Sequence, residues 1–136
     1  LAEIEMTISE LESTLPNGFH DALLHSYEID SNAKTATLKL DIWIGDMGSE
    51  TTRESYKSGV LRMEDLAYFI VDEPDPTYEY RSPERIDLCT ALPEYPKEIK
   101  DGYFRGRFYS DSTNAFIHFS ASTVTFKYTN QCQPLH

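Results

Sequence analysis

The hydrophobic pattern of the chain changes from a helical to a strand-like period after the first fifteen residues. Ile4, Ile8, Leu11 and Leu15 recur at intervals of four, three and four, which places them on one stripe of an amphipathic helix. Residues 16–18, Pro-Asn-Gly, then stop the helix, because proline disfavours the helical region for the residue before it and glycine tolerates positive φ. We therefore expect one short amphipathic helix that packs on a sheet.

Two segments of period-two alternation follow this break and predict a β-hairpin. In residues 23–29 one face carries Leu23, His25, Tyr27 and Ile29, and the other carries Leu24, Ser26 and Glu28. In residues 35–44 the apolar face runs at alternate positions from Ala36 to Ile44, with Trp43 on the opposite face. The intervening residues 30–33, Asp-Ser-Asn-Ala, have turn chemistry, because Asp and Asn side chains bond the nearby backbone.

Further strands are predicted over most of the remaining chain. A polar loop at residues 45–55 separates them from the hairpin. The predicted strands cover residues 56–63, 66–71, 103–109, 115–120 and 123–128, with a turn at 64–65 between the first two. Residues 66–71 lack alternation, which is typical of a central strand buried on both faces. The expected fold class is α+β and β-rich, with an antiparallel sheet of about six to seven strands in a single domain covering residues 1–136.

Residues 72–101 interrupt this series of strands. Proline cannot donate to a strand ladder, and this stretch contains five prolines among many charges. We expect a long proline-rich surface excursion, and a functional loop is the alternative. Four large side chains are its expected anchors: Tyr78, Tyr80, Ile86 and Leu88. Residues 131–136 are expected to form a loose tail.

The charge of the chain restricts its partners. Lys and Arg number 12 and Asp and Glu number 23, so the formal net charge is −11. A net negative charge disfavours nucleic acid as a ligand, because its binding relies on neutralising phosphates. It favours encounter with a basic protein. The alternative is that the acidic surface only keeps the protein soluble. No apolar run approaches the roughly 20 residues of a membrane span, and residues 1–15 have acidic flanks unlike a secretory signal. We expect a cytoplasmic protein with no membrane contact.

The sequence offers little that predicts catalysis or a cofactor. Cys89 and Cys132 lie 43 positions apart and match no metal or redox spacing, so two reduced thiols are expected, with a single disulfide as the alternative. His20 and His25 are five residues apart and cannot easily share one ion on a strand or a helix. No glycine-rich phosphate loop and no nucleophile signature occurs. We assign no metal and no cofactor, and expect a protein that is not an enzyme.

One short segment stands out, Phe19-His20-Asp21-Ala22, which follows the helix stop directly. Together with the first hairpin, which ends Asp41-Ile42-Trp43-Ile44, it resembles the opening of small uncharacterised bacterial proteins with an FHDA-type motif. Some of those are similar to presumed immunity proteins of polymorphic toxin systems. The resemblance covers roughly the first third of the chain. It implies a β-rich α+β domain without catalytic residues that binds and neutralises a toxin. The candidate binding or structural residues are Phe19, His20, Asp21 and Trp43.

Three hypotheses follow for the motif and for the protein. The first is that the motif is a structural corner between helix and sheet, in a non-enzymatic protein whose acidic surface meets a basic toxin. The second is a small hydrolase or ligand-binding protein that uses His20 and Asp21 with a distant partner such as His118. The third is a structural subunit whose exposed strand edges are covered by self-association.

Overall fold

The computed structural model describes residues 7–89 and 100–129, and all structural statements below concern those residues. They form one helix and six strands. In chain order these are α1 (Ile8–Ser13), β1 (Ala22–Asp30), β2 (Thr35–Trp43), β3 (Tyr56–Val71), β4 (Glu84–Cys89), β5 (Phe104–Ser110) and β6 (Ala115–Tyr128). Ile4, Cys132, His136, the expected tail and residues 90–99 of the expected excursion lie outside the described residues.

The strands form a closed antiparallel barrel in the order β1-β2-β3-β6-β5-β4, in which β4 pairs again with β1. The expectation of a β-rich antiparallel fold with one short helix is therefore confirmed. The predicted hairpin is present as β1 and β2, and its alternating apolar positions on β2 are buried in the barrel core. That core also contains aromatic rings from β5 and β6, led by Phe108 and Phe119, which have no exposed surface.

The helix begins at a capping box. Glu10 donates its backbone N–H to Oγ1 of Thr7 at 3.1 Å, and its carboxylate accepts the N–H of Thr7 at 3.2 Å. Ile8, Leu11 and Leu15 are buried, as the helical stripe predicted, and α1 packs against β5 and β6.

The predicted turn at residues 64–65 and the predicted break between strands 115–120 and 123–128 both lie within long, bent strands. Residues 56–71 form one strand with a register shift between Leu66 and Tyr68, next to Asp65 at a φ of 54°. Residues 115–128 likewise form one strand that follows β3 around the same bend. The sequence prediction of separate strands was wrong here because a bulge interrupts alternation without reversing the chain.

The strand β4 lies inside the expected excursion, which corrects that prediction for residues 84–89. Ile86 is completely buried, and β4 pairs with both β5 and β1. Pro83 immediately precedes the strand, so its missing N–H removes nothing from the ladder. The predicted anchor Ile86 is therefore a core residue of the barrel wall rather than an anchor of a loop.

The predicted faces of β1 also need correction. A register shift lies between Leu24 and Ser26, so one extra residue is inserted there. Leu24, Tyr27 and Ile29 consequently share the core face, because each lies opposite a buried residue of β2. Alternation alone placed Leu24 on the face opposite Tyr27 and Ile29. The extra residue in the bulge brings all three side chains onto the same face.

Candidate functional site

The FHDA-type motif occupies the connection between α1 and β1. The chain turns sharply there, with φ of 58° at Gly18 and 53° at Asp21. Aspartate tolerates this left-handed conformation better than most residues with a Cβ, and glycine adopts it freely. At Gly18 a Cβ would also lie 2.8 Å from Cγ of Glu12, so a larger residue would have to displace the Glu12 side chain. Ala22 is the first residue of β1 and is buried.

Phe19 points into the barrel core. Its side chain has no exposed surface, and its ring packs edge to face against Phe108 with centroids 5.5 Å apart. Its backbone N–H donates to the carboxylate of Glu12 at 3.3 Å. These contacts make Phe19 a packing residue that joins the corner to β5, and leave it no surface for a ligand.

His20 and Asp21 meet Asp87 of β4, a residue that the sequence prediction missed. Nδ1 of His20 lies 2.6 Å from Oδ1 of Asp87, and its Nε2 lies 3.4 Å from Oδ2 of Asp21. The backbone N–H of Asp21 donates to the same Asp87 oxygen at 3.2 Å. The three side chains therefore connect the start of β1 to β4.

The hydrogen bond to Asp87 is the main reason why the pKa of His20 is raised above its ordinary value. Desolvation by burial is the next largest effect and lowers the pKa, while the negative charges of Asp21 and Asp87 raise it. Because the His20 side chain is 61% exposed, water screens these interactions. Protonated His20 between the two carboxylates is the state that this geometry favours.

The same three residues have the donors for one cation, since one ligand atom from each lies within 4.8 Å of the others. An imidazole and two carboxylates are ligands that zinc and other divalent ions accept. The donors also satisfy one another without an ion, because both ring nitrogens of His20 already face a carboxylate oxygen.

Trp43 borders this cluster. Its ring stands 6.0 Å from that of His20, centroid to centroid, and its Nε1 donates to the carbonyl of Arg53 at 2.8 Å. Asn17 donates from Nδ2 to the carbonyl oxygens of Trp43 and Gly45, at 3.1 and 2.9 Å. The structure thus brings His20, Asp21 and Trp43 together, as neighbours in a corner that is tied to the loop after β2.

The other described histidines pair with carboxylates of their own. Nε2 of His25 lies 2.8 Å from Oδ2 of Asp41, and Nε2 of His118 lies 2.9 Å from Oδ2 of Asp72. The second hypothesis named His118 as a distant partner for His20. The carboxylates nearest to His20 are instead those of Asp21 and Asp87.

A second surface lies in the described part of the excursion, at residues 72–80, which we call the acidic tyrosine segment. Its sequence, Asp-Glu-Pro-Asp-Pro-Thr-Tyr-Glu-Tyr, has four carboxylates and no Lys or Arg. Tyr78 and Tyr80 are 48% and 67% exposed. Neither ring is an anchor, contrary to the sequence prediction.

The acidic tyrosine segment is held by its backbone on the start of β6 and on the turn before it. The N–H of Asp72 donates to the carbonyl of Phe116 at 2.9 Å, and that of Asp75 donates to the carbonyl of Thr113 at 2.8 Å. The Asp75 carboxylate accepts bonds from Asn114 and Thr77, which lower its pKa. Asp75 is therefore firmly ionised, and the segment has a defined conformation despite its exposure.

No protein-family model matches this chain, and no curated protein matches it in sequence. Among solved structures, an uncharacterized protein from Neisseria gonorrhoeae is similar, with 18% identity over 85% of this chain and 93% of that one. Its TM-score is 0.45, and at that level the similarity carries no argument about function. Among the described residues, no helix has the length and apolar character needed to cross a membrane.

Proposed function

We propose that this protein is a non-enzymatic interaction protein that binds a basic partner protein through the acidic tyrosine segment. The observation that carries this proposal is the pairing of exposed Tyr78 and Tyr80 with four carboxylates on a backbone fixed to the barrel. Tyrosine supplies large contact area with little loss of conformational entropy, and is enriched among the residues that dominate binding energy. A loop that is already ordered also avoids part of the entropic cost of binding.

The charge of the whole chain supports a basic partner. A formal charge of −11 speeds the approach of a positively charged protein and suppresses encounters with acidic ones. The resemblance of the FHDA-type segment to immunity proteins makes a basic bacterial toxin, met in the cytoplasm, the specific form of this proposal. The motif itself would then serve as the corner that supports the barrel, and not as the binding surface.

A second candidate function is a hydrolase or ligand-binding protein that uses His20 and Asp21. The observation in its favour is that Asp87 completes a set of three donors within 4.8 Å. A titration of the purified protein with zinc, followed by calorimetry, tests this candidate. Binding that is lost in His20→Ala and Asp87→Asn, both still folded, would favour it over the interaction protein.

The proposed function is tested by affinity capture from a lysate of the organism that makes this protein, with each captured protein identified and then purified. The purified partner is titrated with the wild type and with Tyr78→Ala/Glu79→Lys. We expect at least about tenfold weaker binding for this variant, because it removes a tyrosine contact and reverses a charge. The matched control is Met47→Ala/Glu50→Lys on the exposed loop 45–55, for which we expect less than about a twofold change.

The captured partner should carry a net positive charge, and co-expression should relieve its toxicity if it is a toxin. A partner without net positive charge, or one that binds both variants as it binds the wild type, contradicts the proposal.

A further inference from the structure

The strand β1 loses one of its two neighbours part of the way along its length. It pairs with β4 only through residues 22–24, and the bulge after Leu24 then turns it away. Among the described residues, the only strand that pairs with residues 26–30 is β2. Within residues 7–89 and 100–129, the outer edge of this half of β1 therefore offers backbone groups that no other strand pairs with, and natural proteins usually cover such an edge.

The second half of β3, residues 66–71, comes close to residues 26–30 of β1 through the side chains of Phe69 and Tyr27. It pairs with β6 on one side, and it meets the far end of the β1–β2 hairpin where Leu66 donates to the carbonyl of Lys34 at 2.9 Å. No Cα atom of β1 lies within 8 Å of a Cα atom of β3, whereas paired strands are about 4.8 Å apart. We call the opening between residues 26–30 and 66–71 the β1–β3 slot.

The rings of Tyr27 and Phe69 meet across the slot, with centroids 5.6 Å apart. The two edges are thus near enough for side-chain contact and too far apart for backbone pairing. The Cα atoms of the two strands are more than 8 Å apart, and an inserted strand needs two strand spacings, or about 9.6 Å.

Core-facing residues are exposed at the slot. Tyr27, Ile29 and Val71 are 38%, 43% and 45% exposed, although each is on the inner face of its strand. Their cross-strand neighbours are all buried: Leu38, Ala36 and Ile117. The gap in the barrel wall accounts for this difference, because an inward side chain beside a missing strand remains in contact with water.

Carboxylates border the slot in two places, although Arg62 also lines the surface cavity that contains Glu28 and Ile29. Glu28 lies on the outer face of β1, opposite Thr37. At the end of the slot near β4, Asp72 and Glu84 border a cavity of about 150 Å³ whose walls include aromatic rings and no Lys or Arg. The rings are those of Tyr27, Tyr80 and Phe116, and the guanidinium of Arg107 already stacks on the Phe116 ring, 4.0 Å from its centroid. Carboxylates beside aromatic faces form an environment that binds an ammonium or guanidinium group.

We infer that an extended basic segment of the partner adds to the open edge of β1 as a strand, in the β1–β3 slot. Its main chain pairs with β1, its apolar side chains cover Tyr27, Ile29 and Val71, and one Lys or Arg side chain enters the cavity. Strand addition gives affinity through the main chain and specificity through pockets for alternate side chains. This inference rests on the proposed function, since the acidic tyrosine segment runs directly from the end of β3 beside the slot.

The test uses a capped seven-residue peptide of alternating lysine and valine, together with two versions N-methylated at alternate residues, one for each peptide edge. Binding is measured by calorimetry, and amide hydrogen exchange reports on residues 26–30. We expect the peptide to slow exchange at those amides of β1 that do not bond to β2, and we expect at least one methylated version to bind more than about tenfold more weakly. A peptide of alternating glutamate and valine is the charge control, and should not bind.

Glu28→Lys should weaken peptide binding about fivefold, whereas Glu50→Lys, with the same change of charge on loop 45–55, should have little effect. Equal binding of all methylated peptides, or unchanged exchange in residues 26–30, overturns strand addition. Self-association of the wild type that protects the same amides would identify a second copy as the occupant and also overturns it. The captured partner separates the slot inference from the proposed function. If Tyr78→Ala/Glu79→Lys weakens binding of the partner but Glu28→Lys does not, the slot inference fails while the proposed function stands. If no basic partner is captured, the proposed function itself fails.

Discussion

Replacing Phe19 by alanine tests whether the FHDA-type motif is primarily a packing element. The side chain is completely buried and contacts Phe108 edge to face, so the substitution leaves a cavity between the corner and β5. Such truncations cost about 3–5 kcal/mol in well-packed cores. A domain of 136 residues has a free energy of unfolding of about 7–20 kcal/mol, so the loss is a large fraction of the total. It corresponds to a fall in melting temperature of about 10–20 °C.

Urea unfolding followed by circular dichroism and by the fluorescence of Trp43 measures this loss directly. The m value, which is the slope of the free energy of unfolding against urea concentration, should stay the same. The change then lies in the free energy of unfolding in water. The matched control is Tyr80→Ala, which removes an exposed aromatic ring and should change stability by less than about 0.5 kcal/mol. A loss below about 1 kcal/mol for Phe19→Ala, at an unchanged slope, would refute the assignment of Phe19 as a core residue.

Two further predictions concern His20 in the corner and the close packing of Gly59 against the ring of Phe126. Because the folded pKa of His20 is raised, its bond to Asp87 stabilises the fold fully below the ordinary pKa of 6.5, and this stability is lost as pH rises through the raised pKa. His20→Ala should therefore flatten the dependence of melting temperature on pH above 6.5, and an unchanged pH profile would contradict the assignment. Gly59→Ala should cost about 1–3 kcal/mol, because its Cβ would lie 2.2 Å from the ring of Phe126 and 2.9 Å from a backbone oxygen. Equal urea midpoints for Gly59→Ala and for the control Gly48→Ala, on an exposed loop, would argue against that clash.

The sequence predicts those elements whose pattern is local and uninterrupted. The stripe from Ile8 to Leu15 identifies the helix, since it needs only the 3.6-residue period of the chain itself. The alternation from Ala36 to Ile42 identifies β2 equally well, and all four of its apolar positions are buried. In both cases one side of the element faces the core along its whole length.

The sequence prediction is wrong where the chain changes face within a strand. The bulge after Leu24 and the one beside Asp65 insert an extra residue, and neither position carries a glycine or proline to signal it. The strand β4 was missed for a different reason. It is six residues long, its apolar positions Ile86 and Leu88 are few, and prolines flank it on both sides in the sequence.

The corner was located from the sequence, but its partner was not. His20 and Asp87 are 67 residues apart, and they meet only because β4 closes the barrel against β1. A local motif gives the position of a side chain along the chain, whereas its contacts depend on the order of the strands. The sequence likewise shows the acidic and tyrosine composition of residues 72–80. It does not predict that the two tyrosines are exposed or that the backbone is hydrogen-bonded to the barrel.

The corner and the β1–β3 slot lie at opposite ends of the same short ladder. β1 and β4 share only three residue pairs, and the contacts of Asp87 with His20 and Asp21 extend that connection on the side away from the slot. On the other side the bulge releases β1 from β4, and the slot begins. Without the corner contacts, β1 and β4 would be joined by only three residue pairs. A segment of a partner that entered the β1–β3 slot would then lie beside this short ladder. We therefore expect the motif to contribute to binding indirectly, by keeping the edge of β1 in place, and not through contact with the partner.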